Sequence, residues 1–243
     1  MQLEGKTVLI TGGTSGIGRA LVSEFCDAGS LVVASGRDRL RLDELTAACP
    51  GVLALVHDLA TGAPGDLLAG AAGSGREIDI VINNAGVQFE TSFVDGDINS
   101  ALIEAEIATN LTAPILLAAA AVPLLLKRPE AALVNVTSAL ALTPKQSAPV
   151  YCATKAGLRS FTTALRYQLD GTSVRVVEVI PPLVETAMTA GRPGYKIAPS
   201  TVAAAIVAAL RSGQDEVWIG KARLLRRVNR WAPKAAARRM RAS

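Results

Sequence analysis

Histidine is nearly absent from this 243-residue chain: His57 stands alone. One imidazole argues against a zinc centre or a Ser-His-Asp hydrolase, and no G-x-S-x-G occurs. His57 therefore reads as a strand-end residue and no metal site is expected. Cysteine is also sparse. Cys26, Cys49 and Cys152 form an odd, scattered set, as expected of free thiols in a reducing cytoplasm. Aromatic residues make up only 4% of the chain while half of it is apolar. Ala, Leu and Val supply most of that half, which suits a parallel α/β core. The longest apolar run, 111–126, falls short of the ~20 residues that span a bilayer. It also contains Pro114 and Pro123, so a buried helix is expected there. The opening MQLEGK puts no basic stretch ahead of an apolar one, and no signal peptide is expected.

Acid is missing from one region only. Residues 221–243 carry nine Lys or Arg and no Asp or Glu, so the overall charge of +4 is a property of the tail. Residues 1–220 keep sixteen basic against twenty-one acidic side chains, a net of −5. A mildly acidic body argues against nucleic acid as a partner.

Short aliphatic runs alternate with longer helical patterns. Strands are expected at 7–11, 31–35, 52–57, 78–82, 132–137, 174–180 and 216–219. Helices are expected near 16–28, 38–48, 65–72, 98–127, 150–170 and 200–212. Seven strands separated by helices imply βαβ crossovers: an α/β, Rossmann-type doubly wound parallel sheet with helices on both faces. With no repeat or linker before the tail, residues 1–220 read as one dinucleotide-binding catalytic domain and 221–243 as a basic C-terminal tail. In such a sheet ligands bind beyond the carboxyl ends of the strands.

Three motifs fall there. TGGTSGIG, from Thr11 to Gly18, closes the first strand with Gly12, Gly16 and Gly18. Such a turn lets backbone N–H groups and a helix N-terminus approach a pyrophosphate, so Thr14, Ser15 and Ile17 join the glycines as candidate cofactor contacts. NNAG, from Asn83 to Gly86, closes the fourth strand. Tyr151 and Lys155, thirteen and seventeen residues past Ser138, lie one turn apart on one helix face.

Taken in this order, with Asn110 between the second and third, these motifs resemble the short-chain dehydrogenase/reductase family over roughly the first 220 residues. INNAGVQ, the Pro181–Pro182 pair and the tail beginning IGKARLL look most like its members named after the D-alanyl-lipoteichoic-acid operon. The resemblance implies an oxidoreductase moving a hydride between a nicotinamide cofactor and a carbonyl or secondary alcohol. Tyr151 is then general acid or base, Ser138 orients the substrate oxygen, and Lys155 bonds the nicotinamide ribose. A cation beside the phenol, together with the positive nicotinamide ring, is expected to lower the Tyr151 pKa from about 10. The resemblance also places Asp58 and Leu59 beside the adenine, Asn84, Ala85 and Gly86 along the adenosine ribose, and Pro181, Val184 and Thr186 near the nicotinamide. Pro182 departs from the Pro-Gly of many relatives.

Asn110 sits in a helical stretch four residues before Pro114, which has no N–H to offer the Asn110 carbonyl. In the family the matching residue binds a water that links the lysine to solvent; an ordinary proline kink is the alternative. Cofactor choice is read at Ser35 to Arg39. Gly36 stands where NAD users often carry Asp, and Arg37 offers a guanidinium to a 2′-phosphate. Asp38 reads as a helix N-cap, which favours NADP, with NAD as second choice. A redox-sensing, non-catalytic NADP-binding protein is a competing reading that an intact Asn110, Ser138, Tyr151 and Lys155 set disfavours. A homodimer or homotetramer through the 98–127 and 150–170 helices is implied, with Leu116, Leu117 and Leu124 on the exposed surface. Leu224, Leu225, Val228 and Trp231 recur at helical spacing in the tail. That helix is expected to dock on protein through Leu225 and Trp231; contact with an anionic membrane surface is the alternative. The 181–199 loop offers Met188, Tyr195 and Ile197, so a compact apolar substrate pocket is expected.

Overall fold

The computed structural model describes residues 1–94 and 98–241, leaving the last two residues of the tail outside. Seven strands form one parallel sheet: β1 (Thr7–Thr11), β2 (Leu31–Gly36), β3 (Leu53–Val56), β4 (Ile80–Asn83), β5 (Ala131–Val136), β6 (Val174–Ile180) and β7 (Glu216–Trp218). Their order is β3-β2-β1-β4-β5-β6-β7. The order reverses between β1 and β4, and the crevice at such a switch is where this architecture binds ligands.

Both faces of the sheet are covered, which explains why β1, β4 and β5 are buried at every position. On one face Val8, Ile10, Ile82 and Val134 pack with Leu21, Val22 and Phe25 of α1 (Gly16–Asp27) and with Ile206 and Leu210 of α7 (Pro199–Ser212) once the chain returns. On the other, Leu9, Val81 and Leu133 meet Leu67 of α3 (Asp66–Gly73) and Leu117 and Ala121 of α5 (Ala113–Leu125). Two further helices, α2 (Arg39–Ala48) and α6 (Pro149–Gln168), complete the layers.

The stretch expected as one helix over 98–127 is built from three pieces. α4 (Ser100–Ile107) passes into a π-helical turn, Ala108–Thr112, and then into α5. Pro114 explains the break: with no N–H at that position the α ladder cannot continue, and the widened turn absorbs the mismatch. Ser100–Leu125 is long and apolar enough to cross a membrane by length and composition alone. It buries Leu117, Ala118, Ala121 and Leu125 in the sheet-facing core and carries the fully buried Glu106 and Asn110. Leu117 is thus core rather than surface, whereas Leu116 and Leu124 remain exposed.

The tail folds as α8 (Lys221–Trp231) and α9 (Pro233–Arg241). α8 is held by Ala222, buried against Ile180 and Trp218, and by Arg223 Nε, which donates to the Trp218 carbonyl at 2.6 Å. Trp218 is sandwiched between two guanidinium groups, Arg159 at 5.0 Å and Arg226 at 4.9 Å from the ring centroid. Glu216 joins them, accepting from Trp218 Nε1 at 3.0 Å and pairing with Arg226 at 3.5 Å. Docking therefore uses Ala222, Arg223 and Arg226, with Leu225 half-buried. Trp231, expected to anchor the helix, is 81% exposed.

Candidate active site

The glycine turn after β1 is shaped for close approach. A Cβ on Gly18 would stand 2.0 Å from the Gly12 carbonyl oxygen, so no other residue fits there. Gly16 has φ +51°, the left-handed region that favours glycine, and a Cβ there would press on Thr186 at 2.9 Å. Asn84 braces the turn from β4: its Nδ2 donates to the Thr11 carbonyl at 2.9 Å, and Thr11 Oγ1 accepts from the N–H groups of Asn84 and Ala85. Ser15 occupies the N-cap of α1 without a side-chain cap bond, and no acid lies in the first turn. The helix end thus keeps its positive field and a free hydroxyl for an anion. These features fit a dinucleotide pyrophosphate.

At the end of β2, a Cβ on Gly36 would meet Thr14 Cγ2 at 2.7 Å, so a side chain at that position would require Thr14 to shift. Asp38 caps α2, accepting from the Arg41 N–H at 3.3 Å and pairing with Arg41 Nε at 3.3 Å. Arg37 is exposed at the cleft edge with Arg41 nearby, a second cation that the spacing of the motif did not single out.

One cleft of about 1390 Å³ runs from this turn across the carboxyl ends of β1, β4, β5 and β6. It exceeds the ~300–1,000 Å³ of most small-molecule pockets, enough for a dinucleotide and a second molecule. Gly12, Thr14, Ser15, Gly16, Ile17, Arg37, Asp58, Leu59, Asn84, Ala85, Gly86, Ser138, Tyr151, Lys155, Pro181, Val184 and Thr186 all line it. Ser35, Gly18 and Asn110 do not. Ser35 is 1% exposed and acts through its carbonyl, which accepts from Gly13 N at 2.9 Å. Gly18 works by packing beneath the turn.

Asn110 is fully buried and ties two walls together. Its Oδ1 accepts from Val87 N at 2.9 Å, while Nδ2 donates to the Val87 carbonyl at 2.8 Å and to Thr154 Oγ1 at 3.3 Å. The loop after β4 and the helix α6 are thereby held in one register.

Ser138 follows β5 directly, and its Oγ accepts from Leu140 N at 3.1 Å. Pro149 at the first position starts α6, which brings Tyr151 and Lys155 onto the cleft wall. Lys155 Nζ lies 5.8 Å from the Tyr151 ring centroid and donates to the Val136 carbonyl at 2.9 Å. Both side chains are buried.

Burial, rather than the lysine charge, dominates the two titrations. It pushes the Tyr151 phenol up to about 12, against opposing contributions from the neighbouring Ser138 hydroxyl and the Arg192 cation. It brings Lys155 down to about 8, with buried Glu106 acting in the other direction. The expected lowering of the Tyr151 pKa is therefore not produced by the chain's own groups, because desolvation of a phenolate outweighs the nearby cation. They favour the neutral phenol at Tyr151.

The substrate end is also more polar than the compact apolar pocket expected. Met188 and Tyr195 line it, but Ile197 bridges to Val184 instead. Leu225, Val228 and Met240 of the tail form a wall, and Lys145, Arg192 and Lys221 add cations. Only the basic, amphipathic pattern of the tail hinted at this, and it named no target.

Comparison with known proteins agrees with this geometry. The family model described as short chain dehydrogenase matches residues 6–194. The chain is 41% identical over 189 residues to an uncharacterized oxidoreductase, DltE, of Bacillus subtilis (strain 168), covering 77% of this chain and 75% of that protein. It is 35% identical over 192 residues to a serine 3-dehydrogenase of Rhizobium radiobacter, covering 77% and 76%. Among solved structures, a short chain dehydrogenase from Burkholderia cenocepacia J2315 in complex with NADP superposes with a TM-score of 0.87 at 28% identity over 99% of both chains. With a family model matching most of its length and relatives above 30% identity, the chain belongs to the short-chain dehydrogenase family.

Proposed function

We propose that this oxidoreductase reduces a carbonyl to a secondary or primary alcohol, reversibly, with NADP preferred over NAD. The observation that carries the reading is the cluster of Ser138, Tyr151 and Lys155 at one end of a cleft whose other end is a pyrophosphate-shaped glycine turn. A bound reduced nicotinamide would supply the hydride, two electrons, to the carbonyl carbon. The chain's share is the proton and the orientation. Ser138 Oγ donates a hydrogen bond to the substrate oxygen and turns it toward Tyr151. The Tyr151 phenol, held neutral by burial, gives its proton to that oxygen as charge develops there. Lys155 holds a ribose hydroxyl and offers a cation to the resulting phenolate. Asn110 keeps α6 and the β4 loop in place, and its backbone carbonyl, facing the N–H-free Pro114 position, is the proposed anchor for a water leading protons to Lys155.

For the cofactor, Gly36 brings no ribose-binding carboxylate, Asp38 is spent on capping α2, and Arg37, exposed at the cleft edge, is placed to meet a 2′-phosphate. Ser35 and Gly18 contribute by supporting the turn, and Asp58 and Leu59 flank the adenine. Following NADPH oxidation by absorbance across a panel of aldehydes and ketones tests the reading. Activity that vanishes in Tyr151→Phe, with NADPH binding retained, is the expected result; turnover in that variant at the wild-type rate overturns it.

The assembly we propose is a homodimer or homotetramer through α4, α5 and α6, because Leu102, Ile107, Leu116 and Leu124 form an apolar exposed surface there. A cytoplasmic setting agrees with three free thiols. For the tail, docking on its own chain is preferred over membrane contact, since Arg223 and Arg226 are already engaged by Trp218 and Glu216.

A further inference from the structure

The two ends of the cleft differ in charge. Its lining carboxylates, Asp38 and Asp58, lie at the adenosine end. Besides Lys155, the charged lining residues around Tyr151, among those described, are Lys145, Arg192 and Lys221, all cations. Among the described residues none of the three has a carboxylate within ion-pair distance. Arg192 Nη1 instead donates to the neutral Gln88 Oε1 at 2.6 Å, and Lys221 Nζ lies 5.0 Å over the Tyr195 ring. Gln88, which also lines the cleft, keeps Nε2 as a buried donor with no hydrogen-bond partner among the described residues. Two of these cations, Lys145 and Arg192, stand in a body (residues 1–220) whose net charge is −5; with Lys221 from the tail and a spare donor in one concavity they focus a positive field on a bound molecule. Arg192 acts at the reacting end itself, since its charge opposes the rise of the Tyr151 pKa. The same cleft is lined by Leu183, Met188, Leu225, Val228 and Met240, three of the five from the tail, which supply apolar surface beside these cations.

We infer that the substrate is a carbonyl compound, or its alcohol, bearing an anionic group and an apolar body. Arg192 and Lys221 hold the anion, and α8 and α9 cover the body. A zwitterionic amino acid fits poorly, because among the described lining residues at this end its ammonium would find cations and no carboxylate. This inference rests on the oxidoreductase reading of the same site and names the substrate class it takes.

Three para-substituted benzaldehydes test it with NADPH: 4-methylbenzaldehyde, 4-carboxybenzaldehyde and 4-formylphenyl phosphate. Wild type is expected to show at least tenfold higher kcat/KM for one of the anionic aldehydes than for the methyl compound, and which anion leads separates a carboxylate from a phosphate. In Arg192→Gln/Lys221→Gln that ratio should fall to near parity through a raised KM, with Arg192→Lys keeping part of it. A second readout needs no turnover: 4-methylbenzoate, but not 4-methylbenzyl alcohol, should raise the Tm of the NADPH-loaded protein, and the double variant should lose the shift. A neutral-aldehyde preference, or an anion ratio and Tm shift that survive the double substitution, overturns the inference while leaving the reductase reading intact. Absence of NADPH oxidation with all three aldehydes, alongside a 4-methylbenzoate shift that depends on Arg192 and Lys221, would instead fault the reductase reading.

Discussion

The dinucleotide end of the cleft and its substrate end are built on different principles. The first is backbone: Gly12, Gly16 and Gly18 strip side chains from a turn so that N–H groups and a helix end can face a phosphate, with Asn84 bracing from behind. The second is side chains brought from far apart: Arg192 beyond β6, Lys145 before α6, and Lys221, Leu225 and Met240 from the tail. A backbone site tolerates almost no substitution, because a Cβ at 2.0 Å from a carbonyl has nowhere to go. A side-chain site can change its ligand one residue at a time. The family match ends at residue 194, so Lys221 and the tail wall lie beyond it. Lys145 and Arg192 lie inside the matched stretch, so the substrate end is drawn from both sides of that boundary.

The sharpest way to probe the junction of the two ends is Tyr151→Phe. General acid–base catalysis contributes typically 10²–10⁴-fold, so kcat should fall by about that factor. Isothermal titration should find NADPH affinity within about threefold of wild type, because the ring stays and only the hydroxyl is lost.

Gly18→Ala attacks the backbone end. The added methyl must displace the Gly12 carbonyl, and overpacking of this kind costs about 1–3 kcal/mol. Urea denaturation should show that loss, and NADPH binding should weaken with it. A stable Gly18→Ala protein with normal NADPH affinity would remove the contrast between the two ends.

A pH profile separates the ends by titration. Burial sets Lys155 at about 8, so its cation is present below that pH and lost above it. The kcat/KM for carbonyl reduction should therefore fall as pH rises through about 8. Lys155→Arg, whose guanidinium stays charged, should abolish that inflection at whatever activity it retains. An unchanged inflection would assign it to another group.

Arg37→Ala should weaken NADPH roughly tenfold relative to NADH, the loss of one charge-assisted contact of about 1.5 kcal/mol. Equal weakening of both cofactors in fluorescence titrations would move Arg37 away from the 2′-phosphate. The smallest effect is expected of Arg226→Ala, which opens one face of the Trp218 sandwich and its pair with Glu216. About 0.5–1 kcal/mol of stability is at stake, together with faster proteolysis of the tail.

Much of this molecule was legible in its sequence. β1 and β6 lie at the expected residues, and the other strands begin or end within one or two positions, because alternation of aliphatic runs with helical periodicity is a local signal. Asp38 as a cap was legible for the same reason: an Asp just before a periodic run has its acceptors where N–H groups are orphaned. The π-helical turn at Ala108–Thr112 was half legible. Pro114 announced a missing bond, but whether a helix kinks or widens depends on what presses on each side.

Other features belong to tertiary structure alone. Leu116 and Leu117 are neighbours of equal hydropathy, yet one is half exposed and the other fully buried, since only the angle of α5 on the sheet separates them. Trp231 looked like an anchor and lies outside, while Ala222 and two arginines hold α8 through a tryptophan on β7. Sequence by itself determined the sheet, the glycine turn and the Tyr151–Lys155 face, all set by bonds and sterics within one or two turns of chain. The pKa values of that pair, and the placing of Arg192 and Lys221 on the lining of one cleft, were decided by folding. Desolvation and long-range juxtaposition depend on what the rest of the chain brings within a few ångströms, and no local pattern encodes that.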